Sequence, residues 1–484
     1  MSTQRSFSPS GLLGLSMIVL LAGCAVGPDY KRPDIQLPAT YPDAAHGGGA
    51  TKGEQGRLSA DWWTLYNDKT LDGLVASALK NNTDLHRAVA QIDAAEAVLA
   101  QANSTLFPEI DLGASSSRSH SSTLNATPVF SGVPITYNAN RLALSTSFEL
   151  DFWGKLRRAS QAAHAQVLSS RYARDVVALT VAGATTQSYF TLRSLDAQIT
   201  VTEKILRSRE DSLAVIKDRA KGGLASELDV NQAQVARSDA AVQLRDLKRQ
   251  RALMEHQLGV LTGKLDLRIA AGDIMNLPMP SLPPVGLPST LLERRPDVQQ
   301  AEQALVAANA EIGFNKASQF PSFSLTGDFG GQSAKLSNIL KSGARIWSLG
   351  LEGLMPIFSA GKYAARTREA VAVQRQAVAA YEKTVQTAFK DVADALTNVE
   401  QTRDAAADIK SRVEAARNVL RLSHLRYDAG YSPYLNVLDA ERTANSAEQA
   451  LVQNRQQQLI YSVDLMKALG GGWSPNQATP VARR

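Results

Sequence analysis

Among 484 residues there is one cysteine, Cys24. A single thiol excludes an intramolecular disulfide and a cysteine-rich metal site. No stretch reaches roughly eighteen consecutive apolar residues, so no transmembrane α-helix is encoded. A chain of this kind that crosses a bilayer must do so as a β-barrel. Aromatics are 6% of the chain, and the 52 basic residues exceed the 46 acidic ones only slightly. The excess is spread out, with no basic block interleaved with aromatics, so nucleic acid is not a partner. The six histidines (His46, His86, His120, His164, His256, His424) have no mutual metal-ligand spacing. There is no phosphate-binding loop and no nucleophile elbow. Acid pairs such as Asp391/Asp394 and Glu441/Glu448 lie at helical spacing beside basic residues and read as solvated helix faces. Trp62 and Trp63 could form a sugar platform but read as packing or interface anchors. The expectation is a non-enzyme without cofactor or metal.

What is present begins with a processing signal. Arg5 supplies a positive n-region, and Gly11 to Leu21 form an apolar run too short to span a bilayer as a helix. Ala22, Gly23 and Cys24 follow. One reading is a secretory signal with a chance cysteine near its end. The sharper reading is that "LAGC" resembles the lipobox of bacterial lipoproteins. That resemblance implies removal of residues 1–23 and a lipid-bearing Cys24 as the first mature residue. Ala25, rather than an aspartate, follows Cys24, a pattern that resembles outer-membrane cargo of enteric type. Without residues 1–23, which hold one arginine and no acid, 51 basic face 46 acidic residues, a net of +5.

The chain also repeats itself. "DLHRAVAQIDAAEAVLAQANSTLFP" (84–108) aligns without a gap on "DVQQAEQALVAANAEIGFNKASQFP" (297–321), an offset of 297 − 84 = 213. Further on the offset is 207: Gly154 matches Gly361, Gly223 matches Gly430, and Gly263 matches Gly470. The six-residue difference lies in a variable loop, within 108–154 or 321–361. In each copy a helix ends at Phe-Pro, because proline disfavours helix at the residue before it. Alternating segments follow. In "RLALSTSFELDF", Leu142, Leu144, Thr146, Phe148, Leu150 and Phe152 alternate with Ser145, Ser147, Glu149 and Asp151. Its repeat puts Trp347, Leu349, Leu351, Met355 and Ile357 on one face, and Ile110 and Leu112 map onto Phe323 and Leu325.

After each hairpin comes a long helical pattern. Lys155 to Ala220, 66 residues, would span about 100 Å as α-helix, and Lys362 to Asp428 repeats it. Both break at glycine, near Gly222-Gly223 and at Gly430. Helices return over Asp229 to Leu261 and Val437 to Leu469, then end at glycine. Helices of this length imply a coiled-coil array. Four amphipathic strands cannot close a barrel, and an open edge cannot sit in lipid, so the chain must pool strands with copies of itself. A soluble sandwich of amphipathic hairpins is the other arrangement that period-two patterning allows.

With these pieces placed, the chain resembles the TolC-like outer-membrane efflux factors, and most closely their acylated branch serving resistance-nodulation-division pumps. The residues that carry the resemblance are "CAVGPDYKRP", "DWWTLYND", "NNTDL", "LFP", "ELDFWGKLRRA", "GGLASELDVNQAQ", "LPSTLLERRPDVQQAE", "PIFSAGK", "YSPYLNVLDA" and "LMKALGGGW". It implies a mixed α+β membrane protein. In it a homotrimer pools four strands per chain into a 12-stranded outer-membrane β-barrel, continued by a 12-helix periplasmic α-barrel. Its partners would be outer-membrane lipid, a periplasmic adaptor and an inner-membrane pump, with acyl chains (palmitate) on Cys24. Such a duct passively conducts drugs or other small toxic compounds. The alternatives are a duct for a secreted protein and a non-conducting envelope lipoprotein scaffold.

The expected division runs as follows: signal peptide 1–23, acylated extended segment 24–60, first repeat 61–276 with hairpin 109–152 and helical hairpin 155–262, and Pro-rich linker 277–288. The second repeat is 289–472, with hairpin 322–358 and helical hairpin 362–469, and the tail is 473–484. The resemblance makes Gly222, Gly223, Leu224, Ala225, Ser226, Gly430, Tyr431 and Ser432 the periplasmic tips that meet the adaptor. Asp229 and Asp439 match positions of gate carboxylates. Asn436 stands where a second gate acid is found, and Ser432 where some members carry an arginine that ties the gate shut. A ring of carboxylates at a narrow opening focuses negative potential and favours cations. The competing role for both acids is stabilisation of a helix N-terminus.

Overall fold

The computed structural model describes residues 25–41, 59–122, 124, 134–282 and 291–473. The signal segment, Cys24, His46, linker residues 283–288 and the tail from 474 onward lie outside the described residues. The chain divides into two compact units that cut across the repeats. One comprises Met1–Asp34, Gln91–Ser170 and Ala301–Tyr381; the other comprises Ile35–Ala90, Arg171–Gln300 and Glu382–Arg484. Each is therefore built from both copies.

The first unit holds a four-stranded antiparallel sheet in the order β1 (Glu109–His120), β2 (Thr136–Leu150), β3 (Ser322–Ser333), β4 (Arg345–Leu354). Glu109 pairs with Ser147 in the first hairpin and Ser322 with Leu354 in the second. These are equivalent positions (322 − 109 = 213; 354 − 147 = 207), so the two hairpins share one register. β2 pairs with β3, which joins the repeats edge to edge. Ile110, Leu112, Leu144, Phe329, Trp347 and Leu349 remain exposed, forming an uncovered apolar face. On the other face Arg141 donates to Asp328 at 2.7 Å.

Both hairpins stop short of the alternating pattern. Asp151 leaves the ladder because its carboxylate caps the next helix, accepting from Leu156 N at 3.1 Å and Arg157 N at 3.0 Å. In the second copy Pro356 has no N–H to give a ladder. The residues after Cys24 form an extended strap on this unit. Val26 N donates to Trp153 O at 2.9 Å, beside the end of β2. Arg158 donates to Asp29, while Tyr30 and Arg32 both donate to the buried Glu302.

The α-helices longer than four residues are α1 (Lys69–Asn81), α2 (Thr83–Ser104), α3 (Lys155–Lys221), α4 (Glu227–Thr262), α5 (Pro296–Ala317), α6 (Lys362–Asp428) and α7 (Tyr434–Ala468). α3 and α6 are both 67 residues long. Among the described residues, no helix is long and apolar enough to cross a membrane. The second unit's core gathers Trp62, Tyr66, Leu71, Tyr189, Phe190 and Leu459 from three segments far apart in sequence. Trp62 is buried in it, so it packs rather than offering a sugar platform. Asp68 caps α1 through Thr70 N and Leu71 N, and its other oxygen accepts from Tyr189.

The segment after α4 is held by buried charge. Asp196 accepts from Arg251 Nε at 2.6 Å, Gly272 N at 3.0 Å and Arg193 Nη1 at 3.1 Å. Glu255 accepts from Ile269 N, and Arg193 also donates to Ala270 O. Each ion in this set is met by others and by backbone, the condition under which buried charge is tolerated.

Candidate functional site

The candidate site is the pair of tips in the second unit where α3 turns into α4 and α6 into α7. Both turns are built alike. Leu224 N donates to Arg219 O and Gly223 N to Ala220 O; 207 residues on, Tyr431 N donates to Arg426 O and Gly430 N to Tyr427 O. This is the two-bond Schellman closure, and it needs a left-handed residue. Gly223 (φ 72°) and Gly430 (φ 77°) supply it at no Cβ cost. Gly222 N donates to Asp218 O. The turn geometry leaves Leu224 and Tyr431 at the two apices, 83% and 81% exposed. Ala225 is half-buried against the apolar core below.

The returning helices start differently. Ser226 caps α4 in a capping box: its Oγ accepts from Asp229 N, and Asp229 Oδ2 accepts from Ser226 N at 3.0 Å and Ser226 Oγ at 2.7 Å. That cap starts the helix at Glu227, two residues before Asp229. α7 has Pro433 at its cap, in an extended conformation (φ −68°, ψ 158°) and without a side-chain bond, and it starts at Tyr434 rather than Val437. The half-buried Ser432 has a hydroxyl without a hydrogen-bond partner among the described residues. Asn436 is exposed and its N–H donates to Pro433 O. Asp439 is exposed and pairs with Arg442 one turn on at 2.5 Å. Each candidate gate acid is thus engaged within its own helix.

Below the turns Leu213, Ile216, Ala233, Tyr434 and Val437 form a small apolar core drawn from three helices. Two polar ties flank it. Arg219 lies over the Tyr427 ring at 5.1 Å and reaches Asp428 at 3.4 Å. Glu441 on α7 sits between Arg209 Nε of α3 (3.6 Å) and His424 Nε2 of α6 (3.9 Å). Glu441 is only 5% exposed, which corrects its reading as a solvated helix face; Glu448 does pair at the surface, with Arg417. Burial pushes the Glu441 carboxyl above its ordinary range, with Arg209 and then His424 pulling it back. Burial likewise pushes the Tyr434 hydroxyl up to about 12. Sequence spacing gave no sign of this cluster, because Arg209 lies 232 residues before Glu441 (441 − 209).

The duplicated sheet and helical hairpins, with matched glycine turns at both tips, define an outer-membrane channel subunit of the efflux type. The chain belongs to the outer membrane efflux protein family, whose model matches it twice, over residues 74–264 and 287–471. It is 33% identical over 475 residues to the toluene efflux pump outer membrane protein TtgF of Pseudomonas putida, covering 97% of this chain and 98% of that protein. It is 31% identical over 472 residues to the cation efflux system protein CusC of Escherichia coli, covering 96% and 99%. Its fold is similar to the crystal structure of the Campylobacter jejuni CmeC outer membrane channel, with TM-score 0.87, 25% identity, and coverage of 93% and 96%.

Proposed function

We propose that three copies of this chain form the exit duct of a tripartite efflux pump. An inner-membrane transporter of the resistance-nodulation-division type and a periplasmic adaptor would deliver its cargo. The observation that carries this reading is the sheet itself. Among the described residues it has an uncovered apolar face and two free edges, β1 and β4, which lipid does not tolerate in a single chain. Three copies give twelve strands, enough for a closed barrel.

The lipid on Cys24 is part of the proposal. The strap seats Val26 beside the end of β2, so the acyl chains would enter the membrane next to the barrel. The tips at Gly222–Ser226 and Gly430–Ser432 are proposed as the adaptor contact, where Leu224 and Tyr431 offer exposed apolar surface. Asp229, Asn436 and Asp439 are proposed as the gate ring. The cargo proposed is small toxic organic compounds; one relative is named for toluene and another for cations.

The test has two arms. Protein extracted from the outer-membrane fraction should migrate as a heat-modifiable trimer and conduct ions in planar bilayers. A deletion strain should gain sensitivity to organic solvents and drugs. A soluble, non-conducting rod removes the duct. Sensitivity to metal salts alone removes the organic cargo.

A further inference from the structure

The free edges and a set of unpaired charges can be read together through the duplication. Strand positions in the first copy map to the second by 213 on β1/β3 and by 207 on β2/β4, and both hairpins obey that map. In the β2–β3 pairing, Leu150 lies opposite Phe323 and Glu149 opposite Ser324. Applying the same map places β4 against a β1 that this chain cannot itself provide. Residue 150 + 207 = 357 meets 323 − 213 = 110, and 149 + 207 = 356 meets 324 − 213 = 111. Ile357 then faces Ile110, Met355 faces Leu112, and Pro356 faces Asp111.

Two independent features agree with this register. The first is the pleat. Ile110 and Leu112 lie on the exposed apolar face of β1, as Trp347, Leu349 and Leu351 do on β4. The mapped register sets apolar face beside apolar face, whereas a one-residue slip would reverse every side chain.

The second is charge. At the end of β2, Glu149 accepts from Lys155 Nζ at 2.7 and 2.8 Å, and Asp151 caps α3, while β3 opposite carries Ser322 and Ser324. In the second copy the acids are gone: Pro356 and Phe358 replace Glu149 and Asp151, yet Lys362 still replaces Lys155. The acids reappear on β1, where Glu109 and Asp111 replace Ser322 and Ser324. Glu109, Asp111, Lys362 and Arg366 are all exposed, and none makes an ion pair among the described residues; Lys362 Nζ lies 5.8 Å from the centroid of the neighbouring Tyr363 ring. α6 has no acid in its first turn, although basic residues there oppose the helix dipole. The carboxylate has moved from one strand of the pair to the other.

We infer that, in the barrel the trimer closes, the segment just past β4 of one copy runs antiparallel to β1 of the next in the mapped register, with Met355 opposite Leu112 and Ile357 opposite Ile110. Lys362 takes Asp111 of that next copy as the carboxylate that Lys155 finds in Glu149. This rests on the trimer proposed above and adds the register and the charge exchange that specify it.

Paired cysteines test the register. Leu112→Cys with Met355→Cys should give a covalent trimer on non-reducing gels. Leu112→Cys with Gly353→Cys or with Ile357→Cys, each slipped by two residues, should not, since diagonal neighbours lie at about 7–8 Å. Single-cysteine variants serve as controls. Charge reversal tests the pair. Lys362→Asp and Asp111→Lys should each lower the temperature at which the trimer dissociates in detergent by about 5 °C, and the double variant should regain most of it. A slipped pair that cross-links in preference, or a double variant no better than the worse single one, overturns the inference. Trimers in which none of the three pairs cross-links overturn the register but leave the duct. A chain that stays monomeric removes the trimer and the register with it.

Discussion

At the scale of single residues, the tip acids have two claims on them. Asp229 spends one oxygen on the N–H and hydroxyl of Ser226, which a helix start requires whatever the channel does. Asp439 is held only by Arg442 at an exposed surface, where such pairs are weak, so in the proposed gate its charge would be the more available to a passing ion. Asp439→Ala should therefore lower cation preference in single-channel recordings, because it also leaves Arg442 unpaired; an unchanged trace would remove Asp439 from the gate. Glu441 behaves differently. Burial raises its folded-state pKa, so its contribution to stability is full at acidic pH and is lost as pH rises through the raised value. Hydrogen exchange across residues 427–441 should be slower at pH 5 than at pH 8 after correction for intrinsic rates. Glu441→Gln should abolish that difference, and the same pH dependence in both proteins would count against the assignment. Neither the burial of Glu441 nor its partners could be read along the chain. Helical spacing places it beside its own neighbours and is silent about Arg209, which only packing brings near.

At the scale of elements, the long helices and their glycine stops were legible because they are local. Composition favours helix over each 67-residue stretch, and a left-handed residue ends it. The starts were less legible. Pattern alone begins these helices at Asp229 and Val437, whereas the Ser226 side-chain bond begins α4 two residues earlier and α7 begins directly after the extended Pro433. The connection after α4 shows what an element can owe to one distant group. Asp196 binds two arginines and the Gly272 N–H at almost no exposure. Asp196→Ala leaves Arg193 and Arg251 without that carboxylate and should cost about 3–5 kcal/mol. Limited proteolysis should then cut within 263–277 first; cleavage starting elsewhere at the wild-type rate would show that the segment is held by its apolar contacts instead.

At the scale of the whole molecule, the chain is an outer-membrane efflux protein whose sheet is incomplete by itself. A closed barrel would already retain the assembly in the membrane, so the lipid proposed on Cys24 would act earlier, in sorting and assembly. Cys24→Ser should reduce the amount of assembled trimer while leaving the conductance of each channel unchanged. Normal trimer levels in that variant would make the anchor dispensable. The strap that follows Cys24 gives the expectation a physical route: Arg32 and Tyr30 fasten it to Glu302, and Arg158 to Asp29, next to the strands that must close.

The sequence by itself determined the duplication, the alternation of the strands, the span of the long helices and the family, because each is a periodicity or a match between segments and needs no third dimension. Tertiary structure decided which charges are buried and which acids are already spent on caps. It also decided that two hairpins from different repeats share one sheet. Those outcomes depend on groups hundreds of residues apart meeting at hydrogen-bond distance, where burial sets the cost of leaving any of them unpaired.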